Sequence, residues 1–232
     1  MPPPLILLPG LKSDHRVWQP QIDRLGRRCE VIVPVAALDS GSIAGMAAAV
    51  LAAAPARFAL AGCSMGGYVA LEVMRLAPER VERLVLVSTS ARPENPATTP
   101  LRHAALALAR RDGVGAMAAA GLDRDFHHAH RYDLRLAALM VAMAESVGLD
   151  AITRQVDAVI ARPDARPMLA SISCPTAVIV GEQDQVTPPD CSLELAAGIT
   201  GSTLSMIPDC GHCAPLEAPR RVTEVLQMWM DE

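Results

Sequence analysis

The sequence is poor in aromatic side chains and in lysine. It has two residues each of Trp, Tyr and Phe, and Lys12 is the one lysine beside 20 arginines. The arginines are interspersed with acids and the net charge is −4, so the basic stripe of a nucleic-acid-binding protein is missing. No apolar run approaches the roughly 20 residues that span a bilayer. We therefore expect neither a nucleic-acid partner nor a membrane partner.

The chain also lacks a signal peptide pattern and a cysteine framework. Residues 1–5 have no basic region and no small-residue cleavage site, which predicts a cytoplasmic protein. Six irregularly spaced cysteines are typical of free thiols in a reducing compartment. Cys210-Gly211-His212-Cys213 matches the redox pattern C-x-x-C, but thioredoxin-like proteins carry it near the start of the chain. We therefore expect no cofactor and no metal.

Short apolar runs are the main structural signal. Six of them are typical of buried parallel strands, and they lie at residues 5–8, 30–33, 58–61, 84–87, 177–180 and 203–207. Helical patterns alternate with them at residues 17–25, 43–54, 65–77, 190–197 and 218–230. This alternation predicts an α/β protein with three layers, in which a mostly parallel sheet of about six strands lies between helices.

The alternation stops between the fourth and the fifth apolar run. Residues 92–170 contain helical patterns only, at 101–109, 134–147 and 149–161, and proline-rich stretches begin and end the segment. We predict a core of residues 1–91 and 171–232 and a helical cap insertion at 92–170. An insertion at this point emerges from the carboxyl edge of the sheet, where open α/β sheets bind ligands.

The stretch Gly62-Cys63-Ser64-Met65-Gly66-Gly67 carries the strongest functional signal. It follows the third apolar run and precedes a helical pattern. A serine between glycines at such a junction is typical of a nucleophile elbow, whose tight turn excludes large neighbouring side chains. The alternative is a glycine-rich turn without chemistry. The strand and helix patterns on either side favour a nucleophile.

Two later loops supply partners for this serine. A serine hydroxyl needs a base, and the base needs a carboxylate that orients it. Asp184 follows the fifth apolar run and His212 follows the sixth, whereas no other histidine follows a late strand. Glu182, Asp190 and Asp209 are the alternative acids.

These motifs give the chain a resemblance to the α/β-hydrolase fold superfamily, in particular to its compact esterase-like members with a helical cap. The motifs G-x-S-x-G, G-x-x-D-x-x-T-P and a late G-H occur in the family's order, and the similarity covers nearly the whole chain. The resemblance implies that Ser64 is the nucleophile, Asp184 the acid and His212 the base. Some members carry the acid after the preceding core strand, but residues 87–91 contain no carboxylate here.

An acyl-transfer site also needs hydrogen-bond donors for the oxyanion. The backbone N–H of Met65, beside the nucleophile, is one candidate donor. By resemblance to the family's H-G-x loop, the backbone N–H of Leu11 is the second. Pro9 departs from the family pattern, which often has a histidine at that position; this histidine is not a member of the triad.

A serine nucleophile predicts acyl transfer through an acyl-enzyme that water then hydrolyses. We expect a hydrolase without cofactor that acts on a small or medium carboxylic ester or lactone. Two alternatives use the same residues: carbon–carbon bond hydrolysis of a diketone-type substrate, and a ligand receptor with slow turnover. The low aromatic content favours aliphatic pocket walls and acyl chains over extended aromatic substrates. The sequence does not predict an oligomeric state.

Two charged groups in the insertion have a structural and a functional interpretation. The histidines at 127, 128 and 130 do not have the spacing of a metal site, and we expect a solvated polar turn. The arginines at 154, 162 and 166 could bind a substrate carboxylate. We expect them instead to pair with the aspartates at 150, 157 and 164.

Overall fold

The computed structural model describes residues 2–231 and contains one six-stranded sheet. Its strands are β1 (Leu5–Leu8), β2 (Val31–Ile32), β3 (Phe58–Cys63), β4 (Val81–Val87), β5 (Thr176–Gly181) and β6 (Thr203–Ile207). They lie in the order β2-β1-β3-β4-β5-β6, and every neighbouring pair is parallel. Each predicted apolar run coincides with one strand, which confirms the predicted sheet.

Helices cover both faces of the sheet. One face packs against α1 (Gln19–Leu25) and α11 (Pro219–Asp231), and the other against α2 (Ile43–Ala53), α3 (Met65–Leu76) and α9 (Pro189–Gly198). The side chains of β1 alternate between the two faces, so that Leu5 and Leu7 face α1 and α11, whereas Ile6 and Leu8 face α2 and α3. Because both faces are covered, β1 and β3 are apolar and buried at every position.

The strand order changes direction between β1 and β3. From β1 the chain passes to β2 on one side, and it then returns to form β3 on the other side of β1. The loops that follow β1 and β3 therefore leave the carboxyl edge next to each other, at the point where open α/β sheets form their ligand crevice.

Five helices lie between β4 and β5, where the sequence predicts a helical insertion. They are α4 (Thr99–Asp112), α5 (Val114–Ala120), α6 (Leu122–Asp125), α7 (Leu134–Val147) and α8 (Leu149–Ile160). The insertion has an apolar cluster of its own, which includes Leu106, Met117 and Val156. Met140 and Met143 are buried instead in the cluster of α1 and α11. The division into a core and a cap remains a prediction.

A helix that spans a membrane needs about 20 predominantly apolar residues. Among the described residues, no single helix is long and apolar enough to cross a membrane. Helices α7 and α8 satisfy the criterion only when they are joined, and a bend of 94° separates them.

Candidate active site

The nucleophile turn (residues 62–67) places Ser64 directly between β3 and α3. Ser64 has a φ of 54° and a ψ of −117°, a conformation that L-residues rarely adopt and that the surrounding structure must hold in place. Its N–H donates to the Val87 carbonyl at 2.9 Å. Its own carbonyl accepts a hydrogen bond from the Thr89 hydroxyl at 2.8 Å. Both bonds come from β4 and the residues after it, which fixes the turn against the centre of the sheet.

Two glycines in the nucleophile turn allow the backbone segments to come close together. A Cβ atom on Gly62 would lie 2.3 Å from the Gly66 carbonyl oxygen, and one on Gly66 would lie 2.2 Å from the Leu8 carbonyl oxygen. Neither distance is possible for a real side chain, so only glycine fits at these positions. The G-x-S-x-G spacing is therefore a packing requirement of this turn.

The structure brings Ser64, His212 and Asp184 together. The His212 Nε2 atom lies 2.9 Å from the Ser64 hydroxyl oxygen. The His212 Nδ1 atom lies 2.9 and 3.0 Å from the two carboxylate oxygens of Asp184. Asp184 and His212 are buried, whereas Ser64 is partly exposed. This is the order of nucleophile, base and orienting acid that activates a serine in hydrolases.

Burial and Asp184 act in opposite directions on the pKa of His212. Burial disfavours the charged imidazole, but the charge of Asp184 and its hydrogen bond outweigh this effect and raise the pKa of His212 above its ordinary value. Burial acts to raise the pKa of Asp184 as well. The His212 charge and the hydrogen bonds that Asp184 accepts outweigh it, so the pKa of Asp184 is lowered. Asp184 therefore stays ionised beside the imidazole.

The acid loop (residues 182–188) holds Asp184 through its own backbone. One carboxylate oxygen accepts hydrogen bonds from the N–H groups of Val186 at 2.8 Å and Thr187 at 3.0 Å. The other accepts a bond from the Thr187 hydroxyl at 3.0 Å. Such an Asx turn fixes the carboxylate orientation. Thr187 thus supports the acid, a role that the T-P motif alone did not reveal.

The alternative acids lie away from His212. Glu182 and Asp209 are exposed. Asp190 forms an ion pair with Arg92 at 2.7 Å. Among the four carboxylates considered, only Asp184 contacts the imidazole.

The histidine loop (residues 208–213) depends on side chains that the sequence did not single out. It precedes α10 (Ala214–Glu217), a helix too short to be recognised from periodicity. The wholly buried carboxylate of Glu217 accepts hydrogen bonds from the N–H groups of Gly211 at 3.0 Å and Cys213 at 3.2 Å. The carbonyl of Asp125 in the insertion accepts bonds from the N–H groups of His212 at 3.0 Å and Cys213 at 3.1 Å. Every N–H from 211 to 213 is therefore paired.

The histidine-rich turn at 127–130 differs from the predicted solvated turn at one of its three histidines. His127 is buried, and its N–H donates to Glu217 at 2.7 Å. The His130 Nδ1 atom lies 3.1 Å from the same carboxylate oxygen. His127 is buried because it packs on the histidine loop, whereas His128 is exposed and His130 is partly exposed. In the described part of the chain, no group of three or more His, Cys, Asp or Glu side chains could hold a metal ion.

Of the three arginines for which a neighbouring aspartate partner was expected, only Arg166 has it, and its guanidinium lies 2.6 Å from Asp164. Arg154 pairs with Asp39 at 2.6 Å and Arg162 pairs with Glu94. Both prediction errors have the same cause: the partner lies far away in sequence, and local spacing carries no information about it.

The two candidate oxyanion donors come from different parts of the chain. Leu11 follows β1, and Met65 follows Ser64 at the start of α3. Neither the Leu11 N–H nor the Met65 N–H donates a hydrogen bond to another residue within 2–231. The oxyanion loop (residues 9–13) approaches the nucleophile closely, since a Cβ on Gly10 would lie 3.4 Å from the Ser64 Cβ. Both N–H groups therefore have the free hydrogen-bonding capacity that an oxyanion hole requires.

The cysteines of the C-x-x-C pattern are poorly suited to redox chemistry. Cys210 and Cys213 are both buried. Burial and nearby carboxylates raise the pKa of each thiol far above its ordinary value. Cys63, beside the nucleophile, is also buried, and its pKa is raised to about 12. Because thiol reactivity needs the thiolate, these side chains act as packing groups.

A cavity of about 390 Å³ lies between α3 and the segment that joins α8 to β5. Its walls include Ile43, Leu71 and Met168, together with the ring of Tyr68. The residues of the triad do not line it. The predicted aliphatic substrate pocket therefore remains a prediction.

Sequence comparisons place the chain among known hydrolases. The profile of the alpha/beta hydrolase family matches residues 5–225. A pimeloyl-[acyl-carrier protein] methyl ester esterase of Aromatoleum aromaticum is 28% identical, and the match covers 94% of this chain and 94% of that protein. A 2-hydroxy-6-oxononadienedioate/2-hydroxy-6-oxononatrienedioate hydrolase of Klebsiella pneumoniae is 47% identical over 55 residues. That match covers 24% of this chain and spans only 19% of the length of the relative.

Solved structures show the same architecture. A thermophilic esterase from Thermogutta terrifontis superposes with a TM-score of 0.86 at 28% identity, over 98% of this chain and 89% of that chain. The enol-lactonase from Burkholderia xenovorans LB400 superposes with a TM-score of 0.89 at 24% identity, over 100% and 92% of the two chains. The second likeness supports the fold alone.

Proposed function

This chain belongs to the α/β-hydrolase family and is a hydrolase, and we propose that it cleaves small or medium carboxylic esters through an acyl-enzyme on Ser64. The observation that carries the proposal is the unbroken hydrogen-bond series from Ser64 through His212 to Asp184, with both links at 2.9 Å. Two relatives that match over nearly their whole length at 28% identity are named esterases, which supports an ester as the substrate.

Acylation begins with proton transfer from Ser64 to His212. The Ser64 oxygen attacks the ester carbonyl carbon while the His212 Nε2 atom accepts the hydroxyl proton. Asp184 stabilises the imidazolium that forms, because its carboxylate lies against the Nδ1 atom. When the tetrahedral intermediate collapses, the bond to the leaving oxygen breaks, and His212 gives its proton to the departing alcohol.

The oxyanion of the intermediate is the group that Leu11 and Met65 stabilise in this mechanism. Both backbone N–H groups have free hydrogen-bonding capacity, and Met65 is the first residue of α3. The N-terminus of a helix favours negative charge. In other enzymes, one oxyanion donor lowers the barrier by about 3–4 kcal/mol.

Deacylation repeats the cycle with water as the nucleophile. His212 accepts a proton from the water as the water oxygen attacks the acyl carbon. The bond between the acyl carbon and the Ser64 oxygen then breaks, and His212 returns the proton to the Ser64 oxygen. The products are a carboxylic acid and an alcohol. The raised pKa of His212 makes the imidazole a stronger base in both steps.

A second candidate function is hydrolysis of a carbon–carbon bond in a diketone-type substrate. The local likeness to the 2-hydroxy-6-oxo acid hydrolase favours it, and Ser64, His212 and Asp184 would act in the same roles. Because that likeness covers a quarter of the chain, it supports this function less than the full-length esterase matches support an ester. The receptor alternative with slow turnover has no comparable support among the named relatives.

A series of p-nitrophenyl esters with increasing acyl length tests the proposal. We expect multiple turnovers by the native protein and labelling by a fluorophosphonate probe. Both should be lost in Ser64→Ala. Both should persist in Ser171→Ala, which removes the hydroxyl of an exposed serine. A folded native protein that neither turns over any ester nor reacts with the probe would overturn the proposal.

A further inference from the structure

Lys12 joins the oxyanion loop to the insertion at two points. Its ammonium group lies 2.8 Å from the carboxylate of Asp125, and both side chains are largely buried. Its backbone N–H donates to the side-chain oxygen of Gln155 in α8 at 3.0 Å. Lys12 has a φ of 59°, a conformation that persists only where its surroundings enforce it. The position of the preceding residue, Leu11, therefore depends on these contacts.

Asp125 links the histidine loop to the Lys12 side chain. It is the last residue of α6. Its carboxylate pairs with Lys12, while its carbonyl accepts the N–H groups of His212 and Cys213. A single residue of the insertion thus contacts the loop that carries a candidate oxyanion donor and the loop that carries the base.

We propose that Lys12 and Asp125 are positioning residues, which hold the oxyanion loop and the histidine loop at a fixed separation around Ser64. This role rests on the proposed hydrolase function. If either side chain is changed, the ion pair that joins the oxyanion loop to residue 125, and through it to the histidine loop, is lost. Small displacements of catalytic groups lower the rate strongly, by up to about 10²-fold for 1 Å.

Burial makes this pair different from the exposed ion pairs of the protein. Exposed pairs contribute little because water screens them. A largely buried pair has lost much of its hydration, so removing one partner leaves the other charge uncompensated. The partner left behind then rearranges or draws in water, and the loop that it holds moves with it.

The charges of Lys12 and Asp125 also change the pKa of His212 in opposite directions. The charged groups that influence His212 are Asp184 and Asp125, which raise its pKa, and Lys12, which lowers it. Loss of the Lys12 charge should therefore raise the pKa of His212, and loss of the Asp125 charge should lower it. A role in packing alone would not produce opposite effects.

The test compares Lys12→Met, Asp125→Asn and the double variant, with the best p-nitrophenyl ester as substrate. We expect kcat to fall at least about tenfold in both single variants, with KM within about threefold of the native value. The acidic limb of the pH profile is the range in which kcat/KM falls as His212 becomes protonated. This limb should move to higher pH in Lys12→Met and to lower pH in Asp125→Asn. In the double variant the limb should return to the native position, while kcat stays low.

Arg154→Met is the matched control. It also removes one positive charge and breaks an ion pair between the insertion and the core, but that pair is exposed and does not contact either catalytic loop. We expect native kcat and a native pH profile. Lys12→Arg keeps the positive charge and should leave the acidic limb at its native pH. If circular dichroism shows that Lys12→Met is unfolded, Lys12→Arg and Asp125→Asn still test the inference.

Two results would overturn the inference. One is a kcat within twofold of native in both folded single variants. The other is movement of the acidic limb in the same direction in both. Failure of the proposed function looks different, because the native protein itself would then show neither ester turnover nor labelling by the fluorophosphonate probe.

Discussion

The nucleophile turn and the histidine loop position Ser64 and His212 by different means. In the nucleophile turn, the strained backbone of Ser64 and the close approach of Gly66 to the Leu8 carbonyl fix the geometry. In the histidine loop, the backbone N–H groups bond to Glu217 and to the carbonyl of Asp125. Close packing of main-chain atoms fixes the first region, whereas hydrogen bonds to Glu217 and to the Asp125 carbonyl hold the second.

Because the two regions are held differently, we expect substitutions in them to affect folding and catalysis to different extents. A side chain added to a glycine of the nucleophile turn meets backbone atoms that cannot move aside, so we expect it to affect folding first. A change around the histidine loop removes a hydrogen bond or a charge but leaves the sheet intact. We expect such a change to affect the reaction first. The following substitutions test the contrast, beginning with the largest expected effect.

Asp184→Asn should separate the two effects most clearly. The amide cannot stabilise the imidazolium and favours the wrong imidazole tautomer, so kcat should fall about 10⁴-fold. The free energy of unfolding should change far less than the activation barrier. The measurements are kcat with the best p-nitrophenyl ester and urea unfolding. Asp190→Asn, at an exposed position, should keep native kcat, and a loss below tenfold in Asp184→Asn would contradict the assignment of the acid.

Gly66→Ala should show the opposite behaviour, with folding affected first. The added methyl group would meet the Leu8 and Pro9 carbonyl oxygens at 2.2 and 2.7 Å. We expect the free energy of unfolding to fall by about 3 kcal/mol. Urea unfolding followed by circular dichroism measures this.

Gly41→Ala is the control for the glycine substitution, because no atom lies within 4 Å of the added methyl group. Its free energy of unfolding should stay within about 1 kcal/mol of native. Equal stability of the two alanine variants would contradict the packing explanation of the nucleophile turn.

Glu217→Gln should weaken the histidine loop without unfolding the protein. The amide keeps one acceptor oxygen, but its NH₂ group would face N–H donors such as that of His127, which now bonds to the carboxylate at 2.7 Å. We expect a loss of about 1–3 kcal/mol in the free energy of unfolding and a fall in kcat/KM. Glu224→Gln, at an exposed ion pair, should match the native protein in both. Native kcat/KM in a folded Glu217→Gln would show that this carboxylate does not position the base.

The pH dependence should show the smallest effect. His212 accepts a proton only when it is neutral, so kcat/KM should fall as the pH drops through the pKa of the imidazole. Asp184 raises that pKa above the ordinary value of 6.5. The acidic limb of kcat/KM should therefore have its midpoint above pH 6.5. Rates between pH 5 and 9 at constant ionic strength measure it, and a midpoint below 6.5 would contradict the described electrostatics.

The same contrast explains what the sequence predicts. Strands such as β1 and β3 are continuously apolar because helices cover both faces of the sheet, so composition alone identifies them. The nucleophile turn is encoded in six consecutive residues, and local sequence therefore indicates its conformation. The prediction of Asp184 and His212 used the rule that parallel strands end at one edge, which needs only the order of the strands.

The supports of the histidine loop could not be predicted in this way. Asp125 and Glu217 act through contacts between elements that are distant in sequence, and neither lies in a recognisable motif. The same limit explains why Arg154 was assigned a neighbouring partner when it pairs with Asp39. Side-chain pairing across elements depends on how the insertion packs, which local patterns do not encode.

The most direct test of the central claim is to locate the covalent intermediate. A p-nitrophenyl carbamate transfers a carbamoyl group that water removes slowly, so the modified protein can be digested and its peptides identified by mass spectrometry. We predict one carbamoyl group per chain, attached to Ser64, with release of p-nitrophenol in equal amount. A modified cysteine in place of Ser64, or p-nitrophenol release without a modified residue, would contradict the account.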